Sequence, residues 1–574
     1  LKRFLVALIA LSTFALSGCS ANLSTVPGTV VNVAETATMV SLNPDVATTD
    51  SAQHLADEIA NLTSEGFYYL DEAGALVPNE LFGTVTVDAQ NPLTVTYEIA
   101  QGLKWSDGQP VDSADLVLSF TAAKAPEGSN FRSRRAGNGL KYASVKSIGL
   151  RSLTLEFSRS VSDWRTAMPV YVAAHAVAAH ALDGVAASSG KSAVIEALQS
   201  SDGAKLTKLA ASYQDAFAPA NARFSTDALV SNGAYTIASL IKDVSVSLKA
   251  RPQYKGAFTP VTETVNVKLY TDSMAALAAM NTEGIDIIRA TESGLVKYPD
   301  LVGMVATLSS IQATTQLRNG RTADMVVFNF RDTSVFSEKA TEEVSAADLR
   351  KAFMLTVPKA RIVQDASAET RVSATDSFIY PSNSVHYSAA VGSNGSELYL
   401  LQDAEKARET LKSAGINDLL DVRVVYDSAN PRSVAQFKSL SLRAASAGFN
   451  LLDLSSDSPT RALLRGEFDV YIGPRDLVGV PGAEPASLLS DKVTKYSDAK
   501  VAKLLVDYAN ASKELAQAAI LRKIDAQLFA SGYGIPLYQV PNLIIYLTKF
   551  GKLTVSPFGD SATWGFNTWS VSAK

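Results

Sequence analysis

The chain of 574 residues has one cysteine, four histidines and no sustained block of charge of either sign. A lone cysteine, Cys19, excludes any disulfide within the chain, so stability must come from packed cores and hydrogen bonds. The histidines, His54, His175, His180 and His386, contain no His-x-x-x-His pair, and one thiol cannot complete a zinc cluster. His175 and His180 are spaced so that they do not face together on a helix. No Gly-x-Ser-x-Gly elbow occurs, and no Gly-x-Gly-x-x-Gly follows a strand. Gly184 to Ser192 mimics a phosphate loop, but its two glycines stand one residue too far apart and Val185 takes the position of the first. The 52 basic and 57 acidic residues leave a net charge of −5, without the basic stripe that nucleic acid requires. The local cluster Arg132, Arg134 and Arg135 reads as a solvated loop.

The start of the chain is the exception to this evenness. Lys2 and Arg3 precede an uncharged, mostly apolar run, Phe4 to Leu16, of about 13 residues. That length suits a signal-peptide core and falls short of the roughly 20 residues a spanning helix needs. Leu16-Ser17-Gly18-Cys19 resembles the lipobox of bacterial lipoproteins. The resemblance implies removal of residues 1–18, lipid on Cys19 and a tether over 19–29. Each buried acyl CH₂ contributes roughly 0.8 kcal/mol to holding such a protein at a membrane. The expected location is extracytoplasmic, anchored to the cell membrane.

A chain this long exceeds one hydrophobic core and is expected to divide into two or more units. Alternating apolar residues predict strands at Val31 and Val33, at Val95, Tyr97 and Ile99, at Val244, Val246 and Leu248, at Val265, Val267 and Leu269, and at Val470 and Ile472. Helical spacing interleaves with them. Ala404, Ala407, Leu411 and Ala414 form one stripe between an Asp403 N-cap and Gly415. Ser345 and Asp348 predict a capping box for a helix with Leu349, Ala352 and Phe353 inward, ended by Pro358. Leu521, Ile524 and Leu528 predict a helix that stops at Gly532. Strands and helices interleaved along the whole chain predict an α/β architecture.

One stretch carries an identity. Gly102-Leu103-Lys104-Trp105-Ser106-Asp107-Gly108-Gln109-Pro110-Val111, followed by Ala114-Asp115-Leu116-Val117 and Phe120, strongly resembles the signature of the extracellular solute-binding proteins of the oligopeptide, dipeptide and nickel group. Locally it predicts a strand ending at Trp105, a tight turn at Ser106-Asp107-Gly108, and a helix capped by Asp112 or Ser113. Further matches follow in the family's order: Leu42-Asn43-Pro44, Tyr69 to Pro78, Asn232-Gly233-Ala234-Tyr235, Glu283-Gly284-Ile285-Asp286, Phe328-Asn329, Leu349 to Phe353, Phe468 to Tyr471, and Trp564 with Trp569. Pro358-Lys359 stands where the family usually has Asp-Arg.

The resemblance implies a type II periplasmic-binding-protein-like fold of the large peptide-binding class: two α/β lobes with a crossing-strand hinge. Residues 30–324 are expected to form lobe I, with an extra subdomain at about 75–225. Residues 325–540 are expected to form lobe II, and 541–574 to return and complete lobe I. The implied function is capture of a small solute, most often a peptide, for the permease of an ABC importer, by a monomer with no cofactor, metal or catalytic residue. The group also carries oligosaccharides, opines, haem and nickel chelates; a secreted hydrolase or an adhesive lipoprotein is the rival reading. The resemblance places an ammonium-binding aspartate at Asp476, before Glu484-Pro485, where a surface loop carboxylate is the alternative; Arg475 beside it either pairs with a ligand carboxylate or sits in solvent. It puts an edge strand at Thr48 to Ser51, including Thr49, which equally suits an ordinary loop. Phe328 and Asn329 at the crossing either pack the hinge or line the cleft, and Trp564 is either a core residue or a stacking platform.

Overall fold

The computed structural model describes residues 24–569 apart from 47, 126–129, 136–137, 292–297, 308–311, 339–343, 371, 481–482, 484 and 512. Cys19 and Glu484 lie outside the described residues.

Strand β1 (Val26–Glu35) is followed by the hairpin β2 (Tyr68–Leu70) and β3 (Leu76–Pro78). Next come β4 (Gly83–Gln90), β5 (Leu93–Ile99), β6 (Ala143–Ile148) and β7 (Ser152–Phe157), which form a four-stranded sheet in the order β4-β5-β7-β6. The later strands are β8 (Tyr235–Ile241), β9 (Ser245–Ala250), β10 (Thr262–Leu269), β11 (Ile287–Ala290) and β12 (Ala313–Phe328). The series ends with β13 (Leu420–Tyr426), β14 (Phe449–Asp453), β15 (Val470–Asp476) and β16 (Gly534–Leu547). With β1 these make one ten-stranded sheet in the order β14-β13-β15-β12-β16-β11-β1-β10-β9-β8.

The two long strands β12 and β16 run antiparallel through the middle and divide the sheet. Ala313–Asn319 pairs with Pro541–Leu547 on one side, and Ala323–Val327 with Gly534–Gln539 on the other. The ladder breaks between Asn319 and Ala323. At the break Gly320 has no room for a side chain, since a Cβ would stand 2.6 Å from the Val540 carbonyl. Its own carbonyl accepts instead from the buried Gln539 amide at 3.0 Å, so the lost ladder bond is replaced.

Separate cores flank this seam. One gathers Phe328, Phe336, Phe353, Phe449 and Tyr538 from both faces of the sheet's β12–β14 half. A second packs β5 and β7 against the helices Ser113–Lys124 and Ala174–Ala181. A third joins Val31, Val33 and Val267 to Leu553, Val555, Phe566 and Trp569, so the C-terminal segment packs beside the first strand. The fold is thus α/β and two-lobed about crossing strands.

The signature stretch is tied by one buried carboxylate. Asp115 accepts from Trp105 Nε1 at 3.2 Å, from the Asp112 amide at 2.9 Å and from the Ala174 amide at 2.8 Å. Asp112 is the N-cap and completes a capping box with Asp115. The strand ends at Ile99 rather than at Trp105, because the chain turns at Gln101 and Gly102, the latter at φ +85°. The other helices begin as expected: Asp403 caps Ala404–Ser413 through the Lys406 amide at 2.9 Å, and Ser345 caps Ala346–Met354. The latter stops at Met354, before Pro358 is reached. In the phosphate-loop mimic, Gly190 and Lys191 lie inside the helix Ala187–Gln199, and Lys191 Nζ holds Asp112 at 2.8 Å.

The arginine cluster is solvated only in part: Arg132 and Arg134 are exposed, whereas Arg135 is drawn inward. Arg135 grips the fully buried Asp45 with two bonds of 2.6 and 2.9 Å, and Tyr213 donates to the same carboxylate at 2.8 Å. Arg134 makes a two-pronged pair with Asp57 at 2.8 and 3.1 Å. The bridge between Val46 and Ser133 brings these two loops together, a pairing that local composition does not reveal.

Candidate functional site

The site follows from strand direction. On one side β1, β10 and β11 are parallel; on the other β13, β14 and β15 are parallel. Ala290, the end of β11, pairs with Leu543, and Asp476, the end of β15, pairs with Thr322. The strands of both lobes therefore run toward the crossing and bring their carboxyl ends together there. Ligands of open α/β sheets bind outside such ends, where connections diverge.

On the second lobe, Met325, Phe378, Arg475, Asp476, Asp491 and Tyr533 help line a cavity of about 350 Å³. The Arg475 guanidinium forms an ion pair with Asp491. Asp491 also accepts from Thr494 Oγ1 at 2.7 Å and from the Val493 amide at 2.9 Å. Burial opposes ionisation of Asp491, but Arg475 and these donors outweigh it and hold the carboxyl below its usual range. Burial pushes the Tyr533 hydroxyl up, so it stays a neutral hydrogen-bonding group. Asp476, two strand positions from Pro474 and exposed at the end of β15, has no side-chain partner among the described residues. A neutralised arginine and a bare carboxylate thus stand next to each other at one opening.

On the first lobe, Val40, Ser41, Thr48, Thr49, Arg132 and Gln214 help line a cavity of about 570 Å³. Thr49 precedes the helix Asp50–Thr63 and is exposed, without a side-chain capping bond. The segment Thr48 to Ser51 is not an edge strand: Asp50 and Ser51 already belong to the first turn of that helix. The Thr49 carbonyl is spent within the helix, accepting from the Gln53 amide at 2.8 Å, and the amides of a first turn point along the helix axis. This segment therefore lacks the alternating donors and acceptors of a strand ladder.

The remaining expected residues are placed away from both cavities. Phe328 is fully buried, edge-on to Phe336 at 4.8 Å and to Phe353 at 5.6 Å. Asn329 is also fully buried; its amide donates to the Phe468 carbonyl at 2.7 Å and its oxygen accepts from the Arg331 amide at 3.1 Å. Trp564 is half-buried in the C-terminal segment, its backbone amide on Ser561 Oγ at 3.1 Å. Nothing local in the sequence marks Asp491 or Tyr533, since Asp491 lies 16 residues beyond Arg475 with no motif between them. Among the described residues no cluster of three or more His, Cys, Asp or Glu could hold a metal, and no helix is long and apolar enough to cross a membrane.

Known proteins share this arrangement. The chain is 23% identical over 531 residues to an uncharacterized lipoprotein of Mycobacterium tuberculosis, covering 89% of this chain and 88% of the relative. Its fold is similar to that of the periplasmic EDTA-binding protein EppA, with a TM-score of 0.73 and 19% identity over 96% of this chain and 98% of that one. It is also similar to the oligopeptide-binding protein AppA of Bacillus subtilis in complex with a nonapeptide, with a TM-score of 0.63 and 13% identity over 95% and 99% of the two chains. The model of the bacterial extracellular solute-binding proteins, family 5, matches residues 84–492, well over half the sequence. This two-lobed chain belongs to that family of ABC-transporter solute-binding proteins.

Proposed function

We propose that the chain captures peptides between its lobes and passes them to the permease of an ABC importer, without catalysis and as a monomer. In this reading lobe I is 30–324, with its subdomain at about 75–225, lobe II is 325–540, and 541–574 completes lobe I. Lipid on Cys19 holds the protein outside the cell, at the membrane; the naming of a full-length relative as a lipoprotein supports this.

The carrying observation is the unpartnered Asp476 carboxylate at the mouth of the second-lobe cavity. Closing the lobes takes water from it, which is unfavourable unless the ligand supplies a cation. A peptide ammonium does so. Arg475 is already neutralised by Asp491 and leaves no surplus positive charge for a carboxylate beside it. The likeness to a peptide-bound AppA supports the same reading. A metal chelate is the second reading, favoured by the likeness to an EDTA-binding protein, but an anionic chelate would meet the bare Asp476.

A mixed peptide library is expected to raise the melting temperature by mass action, whereas a shift with Fe(III)-EDTA alone selects the second reading. Asp476→Asn should weaken peptide binding by roughly two to three orders of magnitude if the pair is desolvated. Acetylating the peptide amino terminus should cost the same in the wild type and little more in the variant; two additive losses would show that the groups do not meet. Cys19→Ala should release the protein from membranes, and retention of an uncleaved chain there refutes the lipid anchor.

A further inference from the structure

Where β12 loses its pairing with β16, between Asn319 and Ala323, the Arg321 side chain meets the C-terminal segment. Arg321 Nε donates to Asp560 Oδ2 at 2.7 Å, and its guanidinium lies over the Phe558 ring, 4.2 Å from the centroid. Both partners belong to the C-terminal segment. Its neighbours Val555, Ala562 and Phe566 pack in the first-lobe core, whereas Phe558 itself packs in the second-lobe core. The segment therefore spans the crossing as a strut. Its shape is fixed: Gly559 sits at φ +64° and a Cβ there would stand 2.7 Å from the Arg318 Cβ. Asp560 is held further by Ser556, whose hydroxyl donates to Oδ1 at 2.5 Å.

The same arginine touches the ligand side. Its carbonyl accepts from the Leu477 amide at 2.9 Å, and the next residue, Thr322, pairs with Asp476. One residue thus connects the first lobe's C-terminal segment to the strand end that carries Asp476. We propose that Arg321 is a positioning residue for lobe closure: with Asp560 and Phe558 it sets the resting angle between the lobes, and so the distance from Asp476 to the first-lobe wall. The inference rests on the lobes turning about β12 and β16, and is independent of which solute is taken.

Pulsed dipolar spectroscopy of the full chain without ligand tests it, with spin labels at Ser239→Cys and Ser413→Cys in a Cys19→Ser background. Both label positions are exposed, one on β8 and one on the helix Ala404–Ser413. The Arg321 and Asp560 side chains are 31% and 28% exposed, so their pair is expected to change the ratio of inter-lobe distance populations about two- to fivefold. Asp560→Asn and Arg321→Gln should each cause that change, the double variant should add nothing further, and Phe558→Leu should give a smaller shift. Charge exchange, Arg321→Asp with Asp560→Arg, should move the distribution back toward wild type. A merely structural pair would alter the melting temperature and leave the distances of folded protein alone. Identical distributions in wild type, Arg321→Gln and Phe558→Leu, each with native circular dichroism, overturn the proposal. Should Asp560→Asn not fold, those two variants decide the question alone.

Discussion

At the centre of the first lobe an arginine meets two glutamates; at the centre of the second, four phenylalanines meet. Arg289 binds Glu35 through Nε and Nη2, at 2.7 to 3.1 Å, and lies 3.8 Å from Glu58, with all three residues at most 4% exposed. Glu58 then accepts the Ala562 and Thr563 amides at 2.8 and 2.9 Å and the Thr563 hydroxyl at 2.5 Å. In the second lobe Phe328, Phe336, Phe353 and Phe449 pack edge to face, with centroids 4.8 to 5.6 Å apart between consecutive rings of the chain Phe336–Phe328–Phe353–Phe449. Directional bonds suit the first lobe because its core is closed by a segment arriving some 504 residues later in the chain. Hydrogen bonds to named backbone amides fix where that segment docks, which apolar contact alone does not. The second lobe, built from a nearly continuous stretch, needs no such address.

The largest expected effects come from removing the centre of each lobe. Arg289→Met leaves two buried carboxyl groups without their cation, at a cost of about 3–5 kcal/mol at pH 7.5. Phe353→Ala opens a cavity among the rings at a similar cost. The two should differ in pH dependence. Orphaned carboxyls take up protons, so the Arg289→Met loss should shrink between pH 7.5 and pH 5, while the Phe353→Ala loss stays constant. Equal pH behaviour of the two variants in thermal unfolding would erase the contrast between ionic and apolar centres.

Much of this architecture is legible in the sequence because its signals are local. The Asp403 and Ser345 caps, the alternation in β1, β5, β10 and β15, and the order of the family motifs each depend on residues a few positions apart. Trp105, Asp112 and Asp115 are a motif for the same reason: one carboxylate ties a turn to the start of a helix within about ten residues. The site is less legible because its contacts are distant. Asp491 meets Arg475 on β15 from 16 residues away with no motif between them, and outside the site Arg135 meets Asp45 in the same unheralded way. Thr48 to Ser51 misleads for another reason: Thr-Thr-Asp-Ser suits a strand edge and a helix start alike, and the apolar face of Asp50–Thr63, with Leu55, Ile59 and Leu62 buried, decides for the helix.

A smaller effect sharpens the comparison without changing any residue. Burial pushes the Glu35 and Glu65 carboxyls up to about 7, and Asp115 and Asp525 to about 6; Glu58 is raised as well. Four of these five lie on the first-lobe side of the crossing, and only Asp525 lies in the second-lobe core region. In each the folded state keeps a proton that the unfolded chain has already released, so the folded state binds more protons between about pH 4 and pH 7. Stability therefore falls as pH rises through that window and is regained on acidification. The carboxyls held low, Asp348, Asp491 and Asp560, do not oppose this, because their contributions are lost only at lower pH, near and below the ordinary aspartate value. The melting temperature should rise by roughly 3–6 °C between pH 7.5 and pH 5. If the lobes unfold in two resolved steps, the step sensitive to Arg289→Met should carry most of the rise, and Asp525→Asn should flatten only the other. A melting temperature that is flat or falls on acidification would mean that these buried carboxyls are ionised at neutral pH and that the first lobe holds a full excess negative charge at its centre.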